Sequence, residues 1–192
     1  MVRDEDMLAH GWLLTHSGGQ WWPTDPRPED CRLEDVAHAL AHLCRYVGHV
    51  RRFYSVAEHS VHVSYMVPKE LALEALLHDA AEAYIADIPR PLKRALPDYQ
   101  RIERLNDLAV RTAFGLPHEE HPVVKEADTR ILKTEALSLF AKQAEDKRWF
   151  DGIEEDTTVQ IFCWDVVTAE REFLRRYHEI TSWEQSRREE DR

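Results

Sequence analysis

The chain has 192 residues, and its 25 Lys plus Arg stand against 36 Asp plus Glu, a formal net charge of −11. That length suits one domain with a core of its own, and the acidic balance argues against coating long nucleic acid, whose phosphates need a basic face. Three cysteines, Cys31, Cys44 and Cys163, are widely spaced with no CxxC pair, which excludes a disulfide framework and suits a reducing cytoplasm.

In chain order, Met1 to Asp6 carries three acids and one Arg, unlike the basic start of a signal peptide. Residues 1–30 read as an N-terminal extension. Two β-prone runs, Gly11 to His16 and Gln20 to Trp22, flank Ser17-Gly18-Gly19 and predict a short hairpin. Trp21 and Trp22 are expected to pack it onto the rest of the chain or to form an oligomer contact. After Pro23, Pro26 and Pro28 the sequence reads as helix and connector.

A first helix is expected over about Leu33 to Tyr46, with Leu33, Val36, Leu40 and Leu43 at helical spacing and Gly48 past its end. A second runs from about Ser55 to Val67. Ser55 with Glu58 three places on forms a capping-box signature, and Pro68 follows. A third spans about Lys69 to Ile85 and is apolar on more than one side, as a central helix would be. Its best apolar stretch, Leu71 to Ile88, is interrupted by five ionisable residues, and no run approaches the ~20 apolar residues of a membrane helix. Pro89, Pro91 and Pro97 then break the chain. A fourth helix is expected over Asp98 to Phe114, a fifth over Val123 to Gln143, a polar loop over Ala144 to Thr157, and a last helix over Asp165 to Ile180. The charged tail, from about residue 183 and nearly all charge from Ser186 to Arg192, is expected to fray. The fold class is therefore all-α, a helical bundle with a small N-terminal β-hairpin, in one domain over 1–192.

His59 in the second helix, His78 and Asp79 side by side in the third, and Asp128 in the fifth are candidate metal ligands. Imidazole plus carboxylate suits a divalent transition metal such as Mn, Fe, Co or Zn. An ionisable pair following Ala75-Leu76-Leu77 is costly to bury unpaired. Glu82 lies one helical turn after His78 and Asp79, and Asp87 follows where the helix should end. So much negative charge in an apolar setting makes sense around a cation, and Glu82 and Asp87 are the candidate general acid and base. His38 and His42 also stand at i,i+4 metal spacing, but no third ligand accompanies them on their helix, so they read as core or surface residues.

The order His59, His78-Asp79, Asp128 resembles the H…HD…D pattern of HD-domain metal-dependent phosphohydrolases. Phe53 to Ser60 is similar to the first-histidine helix of the 5'-deoxynucleotidase branch. Leu76 to Tyr84 followed by Asp87-Ile88-Pro89-Arg90-Pro91-Leu92-Lys93 is similar to its second motif, and Val124 to Asp128 to its K-x-A-D motif. The stretch from Gly11 through His49 is similar to a phage and bacterial subgroup that includes dATP triphosphohydrolase-like enzymes and carries Gly where Val47 stands. The resemblance covers about residues 11 to 140. An HDxxED or a GYP motif, marks of other HD branches, is absent.

The resemblance implies an HD-domain bundle that hydrolyses (deoxy)nucleoside 5'-phosphates, releasing a nucleoside with phosphate or triphosphate. It implies one divalent transition metal (Mn, Co, Zn or Fe) on His59, His78, Asp79 and Asp128, with further metal ions accompanying bound phosphates. It places Glu82 and Asp87 in catalysis and Arg45, ahead of the aromatic Tyr46, on phosphate. His49, His62 and Lys93 are further substrate-contact candidates. A homo-oligomer, dimer or higher, with a nucleotide substrate and no membrane or long nucleic-acid partner is expected, in the bacterial or, if phage-encoded, host cytoplasm. The competing readings are a non-catalytic metal- or nucleotide-binding regulatory module and a cyclic-nucleotide phosphodiesterase.

Overall fold

A computed structural model describes residues 11–140 and 151–190. The described chain is a helical bundle with one two-stranded antiparallel hairpin, as the sequence predicts. In the hairpin β1 (Leu13–Leu14) pairs with β2 (Gln20–Trp21), Leu13 opposite Trp21. Gly18, at φ 84, takes the left-handed turn position that glycine adopts without strain. Asp35 holds the turn from outside, accepting from Ser17 N at 2.6 Å and Ser17 Oγ at 2.9 Å. Trp21 is fully buried, stacks on Tyr84 at 3.8 Å between ring centroids and donates Nε1–H to Asn106 at 2.7 Å. The hairpin is thus packed onto the bundle, one of the two roles expected of its tryptophans.

Helix α1 (Leu33–His42) stops four residues short of the expected Tyr46. The reason is a competing pairing: Cys44 bridges Ser55 antiparallel, Val56 N donates to Leu43 O at 3.0 Å and Arg45 N donates to Tyr54 O at 2.9 Å. A 3-10 turn over Arg45–Gly48 follows. Helix α2 (Val56–Tyr65) is capped by Ser55, whose Oγ accepts from Glu58 N at 3.0 Å, and ends two residues before Val67.

The expected long third helix is broken into a 3-10 turn at Lys69–Leu71, helix α3 (Ala72–Leu76) and helix α4 (Glu82–Ile85). Residues 77–81 between them form tight i→i−3 turns, such as Ala80 N to Leu77 O at 3.0 Å. The Ala75 carbonyl, which would accept Asp79 N–H in a continuous α-helix, accepts instead from His78 Nδ1 at 2.8 Å. Helix α5 (Arg90–Arg94) occupies the connector expected to be irregular, with a proline in its first turn, where a missing N–H costs nothing. Helix α6 (Pro97–Ala113) begins one residue before the expected Asp98 and ends one before Phe114.

Helix α7 (Pro122–Leu139) ends before the expected Gln143, because Phe140 is extended; residues 141–143 and the first part of the expected loop, 144–150, lie outside the described residues. Residues 151–157 form turns and irregular chain. Helix α8 (Val166–Glu190) runs ten residues past the expected Ile180 and through the segment expected to fray. Side-chain contacts hold that extension: Lys69 lies 4.4 Å from the Trp183 ring, Arg187 reaches Glu70 at 3.6 Å, and Arg188 pairs with Glu184 at 4.0 Å.

Helix α8 packs against α1, α2 and α3. Arg176 fastens it: the guanidinium donates to Ser64 Oγ at 2.9 Å and Ser64 O at 3.0 Å and lies 3.7 Å over the Tyr65 ring. The main core gathers Leu40, Val61, Leu76 and Phe173, while a smaller cluster of Val63, Ala75, Val124, Ala127 and Ile131 seats α7 against α2. Among the described residues no helix is long and apolar enough to cross a membrane.

Candidate metal centre and pocket

Three segments converge where α2, the turn after α3 and α7 meet. His59, fully buried at mid-α2, points Nε2 at His78 Nε2, 3.3 Å away. Asp128, on the turn of α7 fixed by Ala127 and Ile131, places Oδ1 at 3.3 Å from His59 Nε2 and 3.9 Å from His78 Nε2. Asp79 Oδ2 is 3.2 Å from His78 Nε2 and 3.6 Å from His59 Nε2. Donor atoms bound at about 2.1 Å to one tetrahedral ion stand roughly 3.4 Å apart. The spacing and the N/O donor types therefore fit a metal ion, and the His59–His78–Asp128 cluster could hold one.

The break after α3 is what makes this possible. In a regular helix, adjacent residues point about 100° apart; here His78 and Asp79 turn toward the same point. The His78 ring is fixed from behind by its Nδ1–H to Ala75 O, which leaves the Nε2 lone pair facing the cluster.

A cavity of about 500 Å³ opens beside the four donors. Arg45, Tyr46, His49, Glu82, Asp87 and Lys93 line it together with Asp79 and Asp128, so the structure brings these expected site residues into one place. His62 is not among the lining residues. Its buried ring stacks beside Phe162 and Trp164, and its Nε2 lies 3.4 Å from Glu58, so it belongs to the packing of α2 against residues 162–164.

Among the described residues, one Glu82 carboxylate oxygen, shielded from solvent, has no hydrogen-bond partner. Burial, then the charges of Asp79 and Asp87, push its carboxyl well above the ordinary range. Asp87 is raised by the same burial, with Arg45 opposing and Asp79 adding to it. Two features of the chain aim Asp87. Ala86 sits at φ 68, ψ 160, and Tyr99 Oη donates to Ile85 O at 3.3 Å and Ala86 O at 3.0 Å. Lys93 is half-buried and bonded through Nζ to Glu103.

No family model matches the chain. It is 45% identical over 128 residues to the uncharacterized protein YfdR of Escherichia coli (strain K12), an alignment covering 67% of this chain and 72% of YfdR. It is 34% identical over 158 residues to the uncharacterized protein RCAP_rcc00048 of Rhodobacter capsulatus, covering 74% of this chain and 81% of that one. The chain belongs to the family of YfdR.

In this YfdR-family chain the contacts of three residues, Glu135, Glu58 and Arg90, escape sequence reading. Glu135 on α7 is fully buried and is the hub behind the metal centre. It accepts from His59 Nδ1 at 2.6 Å, Tyr54 Oη at 2.9 Å, Arg45 at 3.3 Å and Tyr46 Oη. Its bond to Nδ1 fixes the His59 tautomer that presents Nε2 to the centre. Burial raises the Glu135 carboxyl, but Arg45 and His59 outweigh that and hold it at about 2. Glu58, next to His59 on α2, ties that helix to residues 162–164: its buried carboxylate accepts from the backbone of Phe162, Cys163 and Trp164 at 2.8, 2.8 and 2.6 Å. The reciprocal bond of the expected capping box is replaced by these three. Arg90, exposed at the cavity, donates to Asp128 Oδ2 at 3.1 Å. Glu135 follows the last recognisable motif by seven residues, and no spacing rule ties it to His59; only the packing of α7 on α2 does.

Arg45 and Tyr46 reach the cavity because the chain reverses after α1. Tyr46 and Val47 both lie in the left-handed region, at φ 57 and 55. The resembling subgroup's glycine in place of Val47 fits this backbone, which a β-branched residue adopts only under strain. The Arg45 guanidinium, with Nε unpartnered among the described residues, reaches Asp79 at 3.4 Å and lies 5.3 Å from the Tyr46 ring. Tyr46 and Phe140 meet edge to face at 5.1 Å, and Leu132 and Ile88 add to this apolar wall.

Proposed function

We propose that this protein is an HD-type metal-dependent phosphohydrolase of (deoxy)nucleoside 5'-phosphates. The observation that carries the reading is the convergence of His59, His78, Asp79 and Asp128, with donor separations of 3.2 to 3.9 Å, beside a cavity that also holds Glu82, Asp87 and Arg45. A divalent ion on those four residues, when bound, would neutralise phosphoryl charge and lower the pKa of water. The rest of the work falls to the chain. Arg45 and Lys93 are placed to balance phosphate charge, and Arg90 is free to exchange Asp128 for a phosphate oxygen. The wall of Tyr46, Phe140 and Leu132 suits the flat face of a base. Water adds to the phosphorus next to the sugar, the P–O5' bond breaks, and the proton ends on the 5' oxygen. Glu82, whose environment favours its protonated form, is suited to hold that proton in transit.

The test is phosphate and triphosphate release from nucleoside mono-, di- and triphosphates with Mn²⁺, Co²⁺ and Zn²⁺. Turnover with at least one deoxynucleotide is expected. Absence of turnover with every nucleotide and metal would overturn the reading. Asp79→Ala is expected to lower bound metal at the centre, by elemental analysis, and to abolish turnover.

A further inference from the structure

We propose a second transition-metal site, on the surface where the hairpin, α1 and α8 meet, with His16, His38 and Glu170 as its ligands. The site shares no residue with the His59 centre. Each of the three offers a ligand atom, and those atoms all lie within 4.8 Å of one another. His38 Nδ1 is 3.0 Å from Glu170 Oε2, and the His16 ring lies face to face with that of His38, 3.6 Å between centroids and 11° from parallel. In-plane lone pairs of stacked rings do not meet at one point, so holding one ion requires the exposed His16 ring to turn out of the stack.

The surroundings favour a cation. His42 packs on His38, with 4.1 Å between ring centroids. Its Nδ1–H donates to His38 O at 2.7 Å, which leaves its Nε2 lone pair uncommitted by that bond. A cavity of about 250 Å³ lies alongside, lined in part by His16, His38 and Asp35. The site is reachable: His16 is exposed, and His38 and Glu170 keep 30% and 28% of their side-chain surface. Two imidazoles and one carboxylate select Zn²⁺, Co²⁺, Ni²⁺ or Cu²⁺ over Mg²⁺ and Ca²⁺, which prefer oxygen ligands.

The consequence is mechanical. The three ligands come from positions 16, 38 and 170, so one bound ion ties the N-terminal hairpin to α1 and to the long C-terminal helix. Closing so long a stretch of chain restricts the unfolded state more than a local clip would.

The experiment measures Zn²⁺ uptake, by chelator competition and by elemental analysis after gel filtration, for the wild type and for His16→Ala, Glu170→Gln and Asp128→Ala. Two equivalents are expected for the wild type and one for each variant. In the Asp128→Ala background, Zn²⁺ is expected to raise the melting temperature, and adding His16→Ala is expected to remove that rise. His16→Ala alone should leave any nucleotide turnover unchanged. Wild-type uptake in His16→Ala and Glu170→Gln would overturn the proposal, and so would a wild type whose Zn²⁺ is all lost in Asp128→Ala. One equivalent that survives Asp128→Ala and disappears in His16→Ala would uphold the surface site and count against the His59 centre.

Discussion

His59 shows how a single side chain acquires a role. It is fully buried, and an imidazole there needs partners on both nitrogens. Glu135 takes Nδ1, and Nε2 is left for the cluster of His78, Asp79 and Asp128. The Glu135 carboxyl is held at about 2 against an ordinary 4.5. A carboxylate depressed in the folded state stabilises the fold above its unfolded pKa, and that stability is lost as pH falls through its folded pKa. In the metal-free protein, the stability difference between wild type and Glu135→Gln should therefore be constant above about pH 4.5 and shrink toward pH 2, as read by urea denaturation across that range. A second outcome concerns Glu82. Glu82→Gln keeps the shape and removes the proton exchange, so metal content should stay and turnover should fall by about 10²–10⁴-fold. Unchanged turnover would remove Glu82 from the acid–base role.

At the scale of elements, the breaks matter more than the helices. The interruption between α3 and α4 turns His78 and Asp79 to one point. The early stop of α1 delivers Arg45 and Tyr46 to the cavity. The kink at Ala86 delivers Asp87. Ala86 at φ 68, ψ 160 occupies a region suited to glycine, and such a residue costs about 1–3 kcal/mol. Ala86→Gly should raise the unfolding free energy by about 1 kcal/mol in denaturant titration, since glycine removes the strain but adds freedom to the unfolded chain. The same substitution loosens the approach to Asp87, so turnover should not rise with stability. The helices themselves were legible: α2, α6 and α7 begin at Val56, Pro97 and Pro122, each one residue from the expected Ser55, Asp98 and Val123. The breaks were not, because each depends on a bond across the sequence, such as Cys44 with Ser55, or on a side chain taking a helix carbonyl, as His78 does.

At the scale of the molecule, the chain's ends close over its middle. Helix α8 lies on α1, α2 and α3, and the hairpin covers α4 and α6 through Trp21. Trp21 is wholly buried, with its indole N–H satisfied by Asn106. Trp21→Ala should cost about 3–5 kcal/mol, by lost burial and the cavity left behind. A loss under 1 kcal/mol in thermal or urea unfolding would show the hairpin to be a passive appendage.

Helical periodicity, caps and prolines in the sequence determined the all-α class and most helix starts, and two β-prone runs around Gly18-Gly19 determined the hairpin, because those signals act over a few residues. The sequence also singled out His78 and Asp79, since an ionisable pair set after an apolar run demands a partner wherever it is buried, and the resemblance to the H…HD…D pattern tied His59 and Asp128 to them. Tertiary structure decided what no local signal reaches. It placed Glu135 behind His59 and Glu58 under residues 162–164, and it withdrew His62 from the cavity into an aromatic stack. It also gave His38 the neighbours its own helix lacked, through Glu170 from α8 and His16 from the hairpin. The −11 charge follows the same division: the count is a property of composition, whereas the local charge in the cavity depends on where the fold sets Arg45 and Lys93 among the carboxylates.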